Sequence, residues 1–394
     1  MKKLLFVIES LTLGGAEKSL VTLLNLLDYE KYEVDLQLFS YGKEFEKLLP
    51  QEVNLLPILP FFSYCNIPYK NVSVKIRNIK HLSSQLLYSL RLRSGKYDNI
   101  EKSVLMWKSV RKSFKIMEKE YDVAIAYAQG VPTFYVADKI KASKKIAWIN
   151  ATYLPKEREK DYISQKYRKF QNINLVAEAG FEKFGETFPE HIGKRILIKD
   201  ILDYEFNKKL AKLNTENLEI ERDGKIIILT VGRLIESKGY DLAIAACKIL
   251  KDKKIPIKWY IIGEGNKREE LSEKIKELSL EEVFVLLGAK SNPYPYYDIC
   301  DIYVQTSRYE GFCLTLSEAR MFNKPVVTTE FNTVYSQIVR DKNGLVVDID
   351  GKAIADGIEK MIKDTEYRQR IIENIKKEKK GNKEELEKFY EVIN

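Results

Sequence analysis

One strand–loop–helix–strand unit, between residues 301 and 328, constrains the fold of this chain more than any other stretch. Asp301-Ile302-Tyr303-Val304-Gln305 is an apolar run of the length of a buried strand, and Pro325-Val326-Val327-Thr328 is another. Between them lie Ser307-Arg308-Tyr309-Glu310-Gly311-Phe312-Cys313 and then a helix pattern running from Leu314 through Glu318 and Ala319 to Phe322. In such a unit the loop lies at the carboxyl end of the first strand, which is where open α/β sheets hold their ligands. Glu310 falls in that loop, and the amides of Gly311 and Phe312 precede the helix, where they can face an anion or a hydroxyl-rich ligand. Glu318 lies about one turn into the helix. Both glutamates also have ordinary roles open to them. Thr315 and Glu318 have the spacing of a capping box, and a loop glutamate is commonly just solvated.

The same alternation of buried strand and amphipathic helix recurs along the chain. Residues 4–8 form a strand pattern, Gly14-Gly15 closes the following loop, and residues 16–27 are amphipathic; residues 34–39 complete a β-α-β opening of Rossmann type. Two glycines at a strand-to-helix turn let a phosphate reach backbone amides, although an ordinary tight turn has the same look. Residues 121–127 form a strand ending in Ala128-Gln129-Gly130, residues 145–149 another ending in Asn150, and residues 174–177 and 195–198 the last strands of the first half. The polar stretch 200–225 reads as a linker. Beyond it, residues 226–231 form a fully buried strand followed by a loop from Arg233 to Lys238, residues 258–262 a strand before the turn Gly263-Glu264-Gly265, and residues 283–287 a strand before Gly288-Ala289-Lys290. A chain of 394 residues suits two domains, here 1–200 and 201–380. The last run, 381–394, carries Leu386, Phe389, Tyr390 and Ile393 on one helix face.

Composition removes several classes of function. Cys65, Cys247, Cys300 and Cys313 show no CxxC spacing, and the only histidines are His81 and His191, so neither a zinc site nor a disulfide framework is indicated. No apolar run approaches the roughly 18 residues that span a bilayer, and residues 1–8 read as a first strand of a cytoplasmic protein. Sixty-six Lys and Arg against 57 Asp and Glu leave a net charge of +9, which favours phosphates or an anionic membrane surface. Residues 69–121 concentrate that charge, with Lys70, Lys75, Arg77, Lys80, Arg91, Arg93 and further cations interleaved with Val72, Leu86, Leu87, Leu90 and Trp107. This is the pattern of basic amphipathic helices on an anionic membrane, and equally of a helix pair with a core face and a solvated basic face. No nucleic-acid recognition motif accompanies it.

Glu310 and Glu318, with seven residues between them in Y-E-G-F-x-L-x-L-x-E-A, resemble the two-glutamate motif of retaining glycosyltransferases of family four. Val231-Gly232-Arg233-Leu234-Ile235-Glu236-Ser237-Lys238-Gly239 is similar to that family's G-R-L-x-x-x-K-G loop, and Gly14-Gly15-Ala16-Glu17 to its amino-terminal glycines. The three stand in the family's order over essentially the whole chain. The resemblance implies the GT-B fold: two Rossmann-like α/β domains, parallel sheets facing each other across a cleft, and a terminal helix that crosses back to the first domain. It implies a sugar-nucleotide donor, UDP-linked by family frequency; the basic amphipathic stretch 69–121 points to a glycan acceptor, cell-surface or lipid-linked. Glu318 would accept the ribose hydroxyls, and Glu310, Arg233 and Lys238 would be the catalytic set. Gly14, Gly15, Gly263, Ala289, Gly311, Phe312 and Leu314 would line the donor. Many relatives place a histidine near the reacting sugar; the corresponding positions here are Gln129 and Asn150, which can hydrogen-bond a hydroxyl but cannot act as a base near neutral pH.

The chemistry of the residues agrees with that implication. A diphosphate leaving group gains charge as the glycosidic bond breaks, and Arg233 and Lys238 across a strand-to-helix loop meet it with a guanidinium fork and a point charge. With those cations in place no metal or other cofactor is expected, and Asp348-Ile349-Asp350, which has D-x-D spacing, reads as a surface turn. Two rivals share the architecture. A catalytically inactive chain acting as a partner or acceptor-binding subunit generally loses the cationic loop or a motif glutamate, and a sugar-nucleotide epimerase is opposed by the G-R-L-x-x-x-K-G loop. The expected location is cytoplasmic, peripheral at the inner face of the cell membrane.

Overall fold

A computed structural model describes residues 1–12, 14–66, 78–151, 153–212, 218–290 and 292–394. It contains two parallel sheets, each in its own compact unit: Met1–Leu202 with Lys383–Asn394, and Asp203–Asn382.

The first unit is built on seven strands, β1 (Lys2–Ile8), β2 (Tyr32–Leu38), β3 (Asn54–Leu55), β4 (Glu120–Ala126), β5 (Lys141–Ile149), β6 (Asn172–Leu175) and β7 (Arg195–Leu197), in the order β3-β2-β1-β4-β5-β6-β7. Every pairing is parallel, with Leu4 opposite Val34 on one side and Val123 on the other. Strands covered by helices on both faces must be apolar throughout, and Leu4, Leu5, Phe6 and Val7 are all fully buried. The order reverses between β1 and β4, so the loops after these two strands diverge and leave a crevice at their carboxyl ends.

The second unit has six strands, β8 (Ile226–Val231), β9 (Ile257–Ile262), β10 (Phe284–Leu286), β11 (Ile302–Gln305), β12 (Val326–Thr329) and β13 (Leu345–Val347), in the order β10-β9-β8-β11-β12-β13, again all parallel. Its switch point lies between β8 and β11, with Ile302 opposite Ile228. The loop after β8 carries Arg233 and Lys238, and the loop after β11 carries Glu310. Strand order therefore makes neighbours of two segments some 70 residues apart in sequence.

Two segments differ from the sequence expectation. The stretch 200–225 is not a plain linker: Tyr204–Ala211 is a helix, N-capped by Asp203, whose carboxylate accepts the Phe206 amide at 2.5 Å, and anchored by buried Leu210 and Ala211. A single polar-side cap and a two-residue apolar anchor are too short a pattern to stand out in a run rich in Lys, Asn and Glu. Of the basic stretch 69–121, residues 69–77 lie outside the described residues; the remainder holds two helices, Ile79–Arg93 and Asn99–Val110, ahead of β4.

The carboxyl-terminal helix Glu384–Ile393 packs in the first unit. Phe389 is fully buried and stacks on Phe6 at 6.1 Å, Tyr390 stacks on Tyr32 at 5.7 Å, and Lys144 Nζ donates to the Val392 carbonyl at 2.6 Å. Its apolar face, Leu386, Phe389 and Ile393, recurs at the helical spacing that predicts this burial.

Candidate functional site

The carboxyl edge of the second sheet gathers most of the residues singled out in the sequence. The loops after β8, β9 and β10 are knitted side by side: Gly232 donates its amide to Ile262, Leu234 to Glu264 and Gly263 to Gly288, each at 2.9 Å. Gly263 must be glycine here, because a Cβ would stand 1.9 Å from the Gly232 carbonyl. Ala289 follows in the next loop, so Arg233, Gly263 and Ala289 occupy one rim.

The loops after β8 and β11 are joined more tightly still. The Arg308 amide donates to the Ser237 carbonyl at 2.8 Å, Thr306 Oγ1 to the Lys238 carbonyl at 2.9 Å, and the Arg308 guanidinium forks Asp241 at 2.8 and 2.6 Å. That fork holds the Asp241 carboxyl below its usual range. Gly239, at φ +64°, permits the approach; a Cβ there would lie 2.1 Å from the Thr306 carbonyl oxygen.

Within this frame Lys238 Nζ lies 2.5 Å from Glu310 Oε1, and both side chains are largely shielded from water. Glu310 Oε1 also accepts Ser307 Oγ at 2.5 Å and Gln305 Nε2 at 3.2 Å. Gln305 is fixed in turn, donating to Ser307 Oγ at 2.7 Å and accepting Tyr303 OH at 2.6 Å and Thr315 Oγ1 at 3.3 Å. Tyr303, Gln305 and Ser307 alternate along β11 and its extension, so the period of two puts all three on one face beneath the glutamate. All three of these side-chain contacts fall on Oε1. Arg233, by contrast, is exposed and makes no ion pair or side-chain hydrogen bond among the described residues.

The helix Leu314–Met321 begins at Cys313, which sits in the left-handed region at φ +63° and provides no side-chain cap. Thr315 bonds Gln305, so the alternative capping-box role for Thr315 and Glu318 is not what the structure contains. The amides of Gly311 and Phe312 donate to no protein group among the described residues, while the Phe312 and Cys313 carbonyls are taken up by the Gln337 amide. A Cβ on Gly311 would point into open space. The result is an uncapped helix start with free donors, an arrangement that attracts negative charge. Burial drives the Cys313 thiol up to about 12, so it is an inert filler of that turn.

Glu318, one turn further, is only 1 % exposed. Tyr297 OH donates to its Oε2 at 3.2 Å, and Tyr297 stacks on Tyr303 at 5.4 Å and on Phe322 at 5.9 Å. Glu318 and Glu310 are thereby supported by the same aromatic floor. Their support had a faint trace in the sequence: polar residues at 303, 305 and 307, where a buried parallel strand should be wholly apolar. Asp350, the last residue of the D-x-D triplet, accepts the Lys352 and Ala353 amides at 2.9 and 3.0 Å as a helix cap. Among the described residues no three His, Cys, Asp or Glu side chains are placed to hold a metal ion.

The first unit holds the other candidates at its own switch point. Gly14 and Gly15 open the helix Gly15–Leu26, which has no side-chain cap. Glu17 folds back over this turn, its Oε2 lying 2.2 Å from where a Gly14 Cβ would be, so a carboxylate stands where a phosphate was expected. Gln129 and Asn150 come together: Gln129 Oε1 accepts the Asn150 amide at 3.1 Å, and Asn150 Nδ2 donates to the Tyr127 carbonyl at 2.7 Å. Their remaining polar atoms are the Gln129 amide nitrogen and Asn150 Oδ1, the latter buried with no partner among the described residues.

Comparison with known proteins gives the same family as these loops. Residues 214–378 match the family model described as "Glycosyl transferases group 1". The chain is 27 % identical over 373 residues, 94 % of its length and 92 % of the relative's, to the N-acetylgalactosamine-N,N'-diacetylbacillosaminyl-diphospho-undecaprenol 4-alpha-N-acetylgalactosaminyltransferase of Campylobacter jejuni. Among solved structures it is similar to a glycosyltransferase from Rickettsia africae ESF-5, with TM-score 0.67 and 17 % identity over 100 % of this chain and 97 % of that one. It is also similar to Anabaena Alr3699/HepE in complex with UDP and glucose, with TM-score 0.62 and 17 % identity over 95 % and 94 % of the two chains. The sheet orders, the loops at their switch points and these likenesses agree: residues 214–378 match the group 1 glycosyl transferases, and the chain has the two Rossmann-like units of the GT-B fold.

Proposed function

We propose that this chain is a retaining glycosyltransferase of family four that transfers a sugar from a UDP-sugar to a glycan carried on a lipid, without a metal ion, as a peripheral protein of the inner membrane face. The observation that carries the proposal is the meeting of Lys238 and Glu310 at 2.5 Å at the switch point of the second sheet, in a loop whose Arg233 makes no ion pair among the described residues. An ion pair at that place is a charge held in reserve. When a diphosphate enters between Arg233 and Lys238, the ammonium can turn from the carboxylate to phosphate oxygen, releasing Glu310 Oε1 for a donor hydroxyl. The Gly311 and Phe312 amides, which donate to no protein group among the described residues, belong to the same loop as Glu310, and the Glu318 carboxylate, supported by Tyr297, would accept the ribose hydroxyls.

In the reaction the bond from the sugar's anomeric carbon to the phosphate oxygen breaks, with its electron pair going to the diphosphate. Arg233, Lys238 and the helix start stabilise that charge. The acceptor oxygen bonds the same carbon from the same face, and its proton passes to the departing phosphate, so configuration is retained. The UDP assignment draws support from the structural neighbour bound to UDP and glucose, and the lipid carrier from the undecaprenol-linked substrate of the Campylobacter relative.

A thermal-shift panel of nucleoside diphosphates with excess EDTA tests the donor half. Ligand bound to the native state raises apparent stability by RT ln(1 + [L]/Kd), about 2.7 kcal/mol at a hundredfold excess over Kd. UDP should shift the transition and ADP and GDP should not, and transfer from the matching UDP-sugar should persist in EDTA. Turnover abolished by EDTA and restored by Mg²⁺ or Mn²⁺ would remove the cationic loop from its role.

A further inference from the structure

The helix Ile79–Arg93 is built inside out. Its one buried residue is Ser84, whose hydroxyl bonds Ser113 Oγ at 2.7 Å, and Arg91 on the same inner side donates to Ser109 Oγ at 3.0 Å. Tyr88 packs against the core and Leu82 and Leu92 are half-buried, but four large apolar side chains point to the outside: Ile79 is 70 % exposed, Leu86 54 %, Leu87 40 % and Leu90 65 %. Ile79, Leu86 and Leu90 recur at seven and four residues and so form one stripe, with Leu87 on its flank. A helix bathed in water on that side would carry the opposite pattern. Its neighbour shows the ordinary one: Asn99–Val110 turns Val104, Trp107 and Val110 inward and leaves Lys102 and Lys108 in solvent.

We propose that Ile79–Arg93 is the element by which this chain docks on an anionic lipid bilayer, lying flat with Ile79, Leu86, Leu87 and Leu90 sunk below the headgroups. Charge selects this occupant. The helix contains exposed Lys80 and Arg93 and no Asp or Glu, and the adjoining turn adds exposed Arg111 and Lys112, so the stripe is bordered by cations at the level where anionic headgroups would stand. Fifteen residues give a rod of about 22 Å, long enough to lie along an interface and too short to cross it. The cation-rich stretch in the sequence pointed to attraction by charge; the structure adds an apolar anchor that attraction alone does not supply. The proposal rests, for its purpose, on the lipid-carried acceptor proposed above.

The test uses the full chain and vesicles of phosphatidylcholine with and without phosphatidylglycerol. Wild type should cosediment with the anionic vesicles, and Leu86→Ser/Leu90→Ser should lower the partition constant by about tenfold or more, since burying one leucine alone is worth about a decade in affinity. Lys80→Gln/Arg93→Gln should weaken binding only to anionic vesicles, and added salt should reduce but not abolish wild-type binding. A Leu86→Trp variant should show blue-shifted emission on the anionic vesicles, because Trp107, Trp148 and Trp259 are 1 % exposed or less and give a constant background. Binding unchanged in the double-serine variant, no vesicle binding at all, or a solution dimer that the double-serine variant dissolves would each overturn the proposal, the last by giving the stripe to a second copy. The glycosyltransfer reading fails separately: it falls if UDP shifts neither wild type nor the double-serine variant, whatever the vesicles show.

Discussion

At the scale of single residues, Glu318 is the group whose role changes most between sequence and structure. Its spacing from Thr315 suits a helix cap, yet it lies buried against Tyr297 while Thr315 serves Gln305. A carboxylate held by Tyr297 at the edge of the sheet is suited to accept the two vicinal hydroxyls of a ligand. Glu318→Gln should therefore weaken UDP binding about tenfold, because an amide cannot accept two hydroxyl protons as a carboxylate does, and leave the melting temperature within a few degrees of wild type. Calorimetric titration and a melt on the same sample decide the matter: an unaltered Kd takes Glu318 out of the site.

At the scale of elements, β11 and its extension form a support for one functional atom. Tyr303, Gln305 and Ser307 present a chain of hydrogen bonds that ends on Glu310 Oε1. Ser307 is fully buried and is a positioning residue, acting through Glu310. Ser307→Ala should lower kcat about tenfold while leaving the UDP Kd unchanged, since orientation of the carboxylate matters only once the sugar is being transferred. Equal losses in kcat and nucleotide affinity would mean that the loop had merely collapsed. In the first unit, Asp200 follows β7 in a buried place, and burial pushes its carboxyl up to about 6 despite a hydrogen bond from Ser19. Its folded value stands above the unfolded value of 3.8, so the native state holds the proton more tightly and stability falls as pH rises from about 4 to 6. Asp200→Asn should abolish that slope, and its stability relative to wild type should improve between pH 4.5 and 7.5 by on the order of 2 kcal/mol in urea denaturation. A difference that does not change with pH would show the carboxylate to be hydrated.

At the scale of the whole chain, two units with separate cores imply two unfolding events. The terminal helix ties the last residues to the first unit through Phe389, buried between Phe6 and Trp148 at ring separations of 6.1 Å each. Phe389→Ala should cost that unit about 3–5 kcal/mol, the range for a large core aromatic. In calorimetry it should lower one transition and leave the other, which UDP shifts, in place. A common shift of both transitions would show that the units do not unfold independently.

The sequence by itself determined the layers of this protein. Short apolar runs rich in β-branched residues, such as residues 226–231, read as strands covered on both sides, and the loops carrying Arg233, Lys238 and Glu310 are marked by local residue patterns that need no partner to be seen. The family motifs were legible for the same reason: each is contiguous. Tertiary structure alone decided what those loops meet. The order β9-β8-β11-β12 set Lys238 against Glu310 across some 70 residues, and pairing of that range leaves no periodic trace in a sequence. It also decided which face of Ile79–Arg93 lies inward, since periodicity reports that a helix has two faces and only packing reports which one the core accepts.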